Sequence, residues 1–447
     1  MGLVNIVGDF VSKTTYNDLP ETVIEDVKDR LLDSLGGAFF ESGRDTIQPL
    51  LKMLKDYGGV QESSVVGSKD KLPCPQAAFM NSSMAFDTGH SLHTGIMATA
   101  AALAIAEVES NNRSISGKDL ILAIALGYEV GLRIVSAMIP NPFARGFDPG
   151  GIVGPIAAAT AAGKILALDE AKMVAALSIS SGLGIGSKEA SRPPLPFASL
   201  QFGRACEAGV ISALLAREGV QGSDIMLEKG FVPTFCERLD INIVLEGLGK
   251  DFGIANTSLK LHGGCRSLHS SIDSVAQIVE EHKIASTDIE SMKVQVCPGS
   301  LPEYLDMDYP ENGDAARFST PFALAAFLIY GDAFPDKFTD THLKNPQVQE
   351  LINKTTMERS EELGKQSPRR RAVVVEITTK DGRTLSQRSD FAKGDSEWPM
   401  TRTEIEEKFN RMASRTIDLE QRRAIINHVS KIESVSELSG FFPLLSA

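Results

Sequence analysis

From Pro20 to about Gly253, apolar residues recur at three- and four-residue spacing with Gly or Pro between the runs, the period of one helix after another. Residues 23–40 read as an amphipathic helix. Residues 116–138 form another, opening on Ser116-Gly117-Lys118-Asp119, a Ser-x-x-Asp start that resembles a capping box, and ending before Pro140 and Pro142. Residues 152–166, 170–181 and 204–217 are rich in Ala, Gly and Ser and apolar on most sides, which predicts close approach and central burial. After Asn256 the period changes to two. Met292-Lys293-Val294-Gln295-Val296 and Ala372-Val373-Val374-Val375-Glu376-Ile377 read as strands. The second runs to Thr379 and turns at Lys380-Asp381-Gly382-Arg383 into Thr384-Leu385-Ser386, so Asp-Gly closes a hairpin. Helical spacing returns over 403–412 and 419–432, as if the end of the chain packs back on its beginning. The expected fold class is mainly α with an inserted, smaller α+β domain: a large helical bundle from 1–255 and 393–447, interrupted by α+β structure over 256–392.

A length of 447 residues exceeds what one hydrophobic core usually serves, in keeping with two domains. Hydrophobic residues at 43% and charged residues at 23% describe an ordinary globular chain. A net charge of -13 argues against nucleic acid and against anionic membrane surfaces as partners. An acidic protein still binds an acidic substrate where a few cations share one pocket. The N-terminus meets Asp9 before any basic segment, unlike a secretory signal, and Ile6 stands where a myristoylation motif requires Ser or Thr. Residues 96–108, the most apolar stretch in this reading, are too short to cross a bilayer and read as a buried helix. Five cysteines without a Cys-x-x-Cys pair suit a reducing cytoplasm and signal neither zinc nor an iron–sulfur cluster.

Three clusters carry candidate chemistry. Phe86-Asp87-Thr88-Gly89-His90-Ser91-Leu92-His93 gathers a carboxylate and two imidazoles in a chain with only seven His, a set suited to general acid/base work. The alternative is a loop that caps the following helix with its own side chains. Arg145-Gly146-Phe147-Asp148-Pro149-Gly150-Gly151 enters a helix whose free N–H groups suit a carboxylate, Gly150 among them. Asp148 there is more commonly a helix cap. This turn and Gly182-Leu183-Gly184-Ile185-Gly186-Ser187-Lys188 both lack the strand context and spacing of a nucleotide loop. In Lys260-Leu261-His262-Gly263-Gly264-Cys265-Arg266-Ser267-Leu268-His269, Lys260 suits a carboxylate clamp or proton donor and Arg266 a bidentate grip. Read blandly, His262 and His269 are satisfied core residues, Cys265 is buried and Lys260 is solvated. Arg369-Arg370-Arg371 precedes a strand without aromatic neighbours and reads as a solvated edge rather than a nucleic-acid site.

In this order the clusters resemble the MmgE/PrpD family, which includes 2-methylcitrate dehydratase, cis-aconitate decarboxylase and iminodisuccinate epimerase. The resemblance also runs through Gly127-Tyr128-Glu129-Val130, Ser181-Gly182-Leu183, Gly203-Arg204-Ala205, Ala316-Arg317-Phe318-Ser319 and Pro321-Phe322. It implies a large helical domain with a smaller α+β lid, a homodimer, and an interdomain active site that uses neither metal nor cofactor. His93 matches the His after the family's Asp-rich loop, and Lys260 matches its substrate-facing Lys. Asp87 and Thr88 match part of an Asp-Phe-Asp-Asp-Thr stretch. Asp148 stands where dehydratase- and decarboxylase-like relatives have His, Ala198 where many have Lys, Gln201 where they have His, and Phe322 where some have Tyr. The candidate catalytic set is therefore His93, Lys260, Asp87, Asp148 and His90. Thr88, Arg266, Gly150, Cys265, His269 and Phe322 are expected to bind substrate. The implied function is a cofactor-independent lyase or isomerase, cytoplasmic, that abstracts a proton beside the carboxylate of a small acid. The competing reading is a silent relative that only binds one.

Overall fold

Local signals at helix starts explain where the elements begin. In the computed structural model, which describes residues 2–86, 93–191, 197–298, 309–366 and 372–447, Ser116 accepts the Asp119 N–H, while the Asp119 carboxylate accepts the Ser116 N–H at 2.8 Å. That reciprocal cap opens the Gly117–Ala137 helix. Asp169 and Thr401 cap Glu170–Ser181 and Arg402–Ala413 through their side chains. The described residues form two compact units, one built from 2–191, 197–257 and 401–447, the other from 258–400.

The first unit is helical. Pro149–Ile165 lies at its centre, packed against Thr94–Glu109, Gly117–Ala137 and Phe197–Arg217. Ala and Gly line these contacts, and nearly every residue of Thr94–Glu109 and Pro149–Ile165 is buried, as the all-round apolar pattern predicted. Among the described residues Gly117–Ala137, not the shorter 96–108 stretch, is long and apolar enough to cross a membrane; its apolar window is 94% buried, as in a core helix. Within it Arg133 reaches sideways. Its Nε binds the Glu129 carboxylate, its Nη1 donates to the carbonyls of Ile243, Val244 and Glu246, and its Nη2 donates to that of Asp251. The other Glu129 oxygen accepts the Gly253 N–H at 2.7 Å. One buried ion pair thereby closes off the carbonyls of the short Ile241–Leu245 helix and the turn after it.

The C-terminal segment joins this same unit. Arg402–Ala413 lies along Glu21–Ser42, with Phe409 edge-on to Phe39 at 6.3 Å and Lys408 paired with Asp33 in the core. On the last long helix, Leu419–Ser430, His428 stacks on Phe441 at 4.8 Å, and its Nε2 is buried without a hydrogen-bond partner among the described residues. Burial holds this imidazole below its ordinary value. The folded chain then binds fewer protons there than the unfolded one. Its contribution is fully present above about pH 6.5 and is lost as pH falls through that value. His428→Phe should keep the stacking and remove the loss, so the melting temperature should fall less steeply between about pH 7.5 and 5.5 than in the wild type; equal slopes in thermal scans would refute this.

The second unit carries a four-stranded sheet in the order Thr355–Arg359, Ile289–Val296, Val373–Thr379, Thr384–Ser389. The first pair is parallel and the other two antiparallel. Val373–Thr379 alternates buried and half-buried residues, as period two requires. The expected hairpin is present: Thr379 donates to Arg383 at 2.9 Å, and Gly382 takes the left-handed conformation at φ +87°. Thr355–Arg359 escapes the sequence reading because Thr-Thr-Met-Glu-Arg has a single buried residue at its start. As a compact unit it runs from 258 to 400. Near its ends Leu259 donates to the Gly394 carbonyl at 2.9 Å, and the Lys393 N–H donates to the Asp273 side-chain carboxylate at 2.8 Å. Arg369, Arg370 and Arg371 lie outside the described residues.

Candidate active site

The helical unit positions His93 at the residue before the Thr94–Glu109 helix, in a left-handed conformation with φ 58° and ψ -12°. A non-glycine residue rarely adopts it, and such strain persists where the surroundings over-determine the position. Those surroundings are aromatic. The His93 ring lies 4.9 Å from Phe86 and 5.0 Å from Phe202, and the two phenyl rings stack on each other at 4.7 Å. Gly150 makes room for the group, since a Cβ there would sit 2.3 Å from the Phe202 ring. Asp87, Thr88 and His90 lie outside the described residues, as do the side chain of Ala198 and its surroundings.

Asp148 caps the Pro149–Ile165 helix. One oxygen accepts the N–H groups of Gly150 and Gly151 at 2.9 and 3.4 Å. The Gly150 amide is thus taken by the chain's own carboxylate, and the residue leaves room for the Phe202 ring. The second glycine-rich turn packs on this same helix start: Ile185 donates to the Gly151 carbonyl, and Asp148 donates to that of Gly186. Gly184 and Gly186 allow this approach, since a Cβ there would meet the carbonyl oxygens of Ile152 at 2.6 Å and Asp148 at 2.9 Å. Gln201, on the Phe197–Arg217 helix, offers its side-chain oxygen to the Ser187 N–H of this turn at 3.1 Å.

In the α+β unit the Lys260–His269 segment is pinned from both sides. Gly263 donates to the Ala333 carbonyl and Cys265 to that of Arg317, both at 2.8 Å. Gly264 is left-handed at φ +78°, and a Cβ on it would meet the Arg317 carbonyl oxygen at 2.6 Å, so only glycine turns the chain here. Lys260, read blandly as solvated, is 7% exposed. Arg266 is equally buried and pairs through Nη2 with Asp395, whose other oxygen accepts the Ala392 N–H at 2.9 Å. The remaining Arg266 donors, Nε and Nη1, meet no acceptor among the described residues. Cys265 is half-buried, its Sγ 3.6 Å from Ser267 Oγ. His269 is fully buried at the start of His269–His282. Phe322 is also fully buried, packed edge-on to Phe338 at 5.3 Å.

Three residues here were not singled out from the sequence: Phe202, Asp273 and Asp395. Asp273 binds His262 Nε2 at 2.9 Å. It stands four residues after His269 on one helix face, a spacing that would have drawn attention to it. Phe202 and Asp395 carry no local signal, because each gains its meaning from a partner more than a hundred residues away.

A helical unit in two chain segments, an α+β unit between them in sequence and buried basic residues in the latter define a known class. The MmgE/PrpD N-terminal domain matches residues 6–243 and the MmgE/PrpD C-terminal domain matches residues 262–433. The chain belongs to the MmgE/PrpD family. Along nearly its whole length it is similar to three proteins of that kind. It is 28% identical to a cis-aconitate decarboxylase-like protein of Aspergillus oryzae, over 98% of this chain and 96% of that one. It is 29% identical to the human cis-aconitate decarboxylase, over 96% and 91%. It is 25% identical to the cis-aconitate decarboxylase of Aspergillus terreus, over 100% and 96%.

Proposed function

We propose that this chain is a lyase or isomerase of small polycarboxylic acids, with decarboxylation of a substrate resembling cis-aconitate as its first candidate reaction. The observation that carries the reading is Arg266: a buried guanidinium with one nitrogen held by Asp395 and two others facing no acceptor among the described residues. An unmatched buried cation is costly, and a substrate carboxylate would satisfy it with charge-assisted bonds. Lys260, buried six residues earlier, supplies a second positive charge suited to a carboxylate or to the negative charge that grows when a proton or carbon dioxide leaves. Full-length similarity to decarboxylases of cis-aconitate supports the substrate class.

The chemistry asked of the chain is modest. Loss of carbon dioxide, or of a proton beside a carboxylate, leaves an electron pair that must be stabilised and then protonated. Lys260 is assigned the stabilisation and His93 the proton. Asp148, occupied as a helix cap, is left out of this scheme. A cytoplasmic homodimer without a cofactor completes the proposal, and the five free cysteines suit that compartment.

The test is turnover across mono-, di- and tricarboxylic acids, unsaturated and amino-substituted ones included, followed by carbon dioxide release and product NMR. Consumption of a di- or tricarboxylate with monocarboxylates left untouched is the expected result. Tight binding of such acids without any product would favour the silent-relative reading.

A further inference from the structure

Beyond Lys260, the same segment holds a carboxylate–imidazole couple that the scheme above does not use. His262 is 8% exposed, and its Nε2 lies 2.9 Å from Asp273 Oδ1. The second Asp273 oxygen accepts the Lys393 N–H at 2.8 Å, so the carboxylate is fixed by backbone as well as by the ring. The loop that carries His262 is anchored just after it by Gly263 and Cys265 and just before it by Leu259. The ring itself stands edge-on to His269, with centroids 5.3 Å apart and planes at 64°. Among the described residues the His262 ring makes no other hydrogen bond, which leaves its Nδ1 uncommitted.

This is more apparatus than a core histidine requires. A carboxylate on one ring nitrogen sets the tautomer and steadies the positive charge that appears when the other nitrogen takes a proton. We propose that His262 is a further proton-transfer residue of this chain, with Nδ1 as the working atom and Asp273 as its orienting partner. The inference rests on the acid lyase or isomerase reading. In the step assigned to it, neutral His262 keeps its Nε2–H on Asp273 and uses the Nδ1 lone pair. A C–H bond beside the substrate carboxylate breaks, an Nδ1–H bond forms, and the C–H electron pair moves into the carboxylate as an enediolate. The imidazolium then returns its proton to carbon, and the ring is neutral again. Nothing is oxidised or reduced.

The variant that separates proton transfer from packing is His262→Gln, whose amide keeps a donor for Asp273 but has no atom that takes up a proton. In deuterated buffer with cis-aconitate and related di- and tricarboxylates, its rate of deuterium entry into the acid should fall by about 10²–10⁴-fold with affinity for the acid and melting temperature little changed. Asp273→Asn should lower the rate as well. Wild-type exchange in a folded His262→Gln protein would overturn the proposal. If His262→Gln fails to fold, Asp273→Asn decides by the same criterion. If the wild type exchanges none of the acids, it is the functional reading that fails, and the couple is judged by the ring nitrogens of ¹⁵N-labelled His262. An Nε2–H tautomer whose Nδ1 signal moves on adding cis-aconitate supports the assignment. An Nδ1–H tautomer, or no response, overturns it.

Discussion

His93→Asn should lower turnover by about 10²–10⁴-fold and Lys260→Met by about 10²–10³-fold, each with the fold intact. Asn is the informative replacement at 93. The position is left-handed, and Asn tolerates that conformation where Ala does not, so the loss reports on the imidazole rather than on the helix entrance. The three-ring contact with Phe86 and Phe202 is what holds the ring in place, and its Asn substitute keeps neither the stacking nor the proton chemistry. At Lys260 the volume-matched Met suits a site only 7% exposed and removes the ammonium, its charge and its N–H donors together, with the packing kept. If the ammonium stabilises the charge that develops in the transition state, kcat falls more than KM rises; an effect confined to KM would reduce Lys260 to uniform substrate binding. Wild-type kinetics in both variants would remove these residues from the mechanism.

Arg133→Met should cost about 3–5 kcal/mol, the largest stability effect expected from a single substitution outside the site. It strands Glu129 in a buried position and leaves four carbonyls without the guanidinium that now serves them. Burial already pushes the Glu129 carboxyl above its ordinary value, and its hydrogen bond to Arg133 opposes that push. Such a group binds its proton more tightly in the folded chain, so its contribution becomes less favourable as pH rises through the window above the unfolded value of about 4.3. Removing Arg133 widens that window upward. The deficit of the variant should therefore be largest near neutral pH and shrink toward about pH 5, and Glu129→Gln added to Arg133→Met should recover part of it. Thermal unfolding across pH checks both statements, and a pH-independent deficit would contradict them.

Periodicity carried most of the fold. The Ser116 box, the alternation of 373–377 and the Asp381-Gly382 turn are local signals, and each appears in the structure as an element boundary or a strand. Signals failed where an element owes its place to others. Thr355–Arg359 is a strand because Ile289–Val296 offers it an edge, not because its own residues alternate. Residues 393–400 lie in the α+β unit, tied to it by the Leu259 N–H on the Gly394 carbonyl and the Lys393 N–H on the Asp273 carboxylate, bonds that no sequence pattern announces. Among candidate site residues the chemistry of a side chain was legible and its employment was not. Asp148 reads from its position more commonly as a cap than as a base, and in the structure its carboxylate accepts the Gly150 and Gly151 amides. Phe322 matches the family by motif, and its packing against Phe338 is a contact no local pattern announces. His262 was set aside as a core residue because Asp273 reaches it only once the intervening turn folds.

The most direct test of the central claim is an NMR time course of the purified wild type with cis-aconitate in deuterated buffer, run beside His93→Asn and Lys260→Met. The account predicts carbon dioxide release or site-specific deuterium entry in the wild type, with both rates reduced at least a hundredfold in each variant, on the order of what one acid/base or electrostatic group contributes. An unchanged substrate spectrum with cis-aconitate and with every other acid of the panel, from a folded wild-type protein, would contradict it.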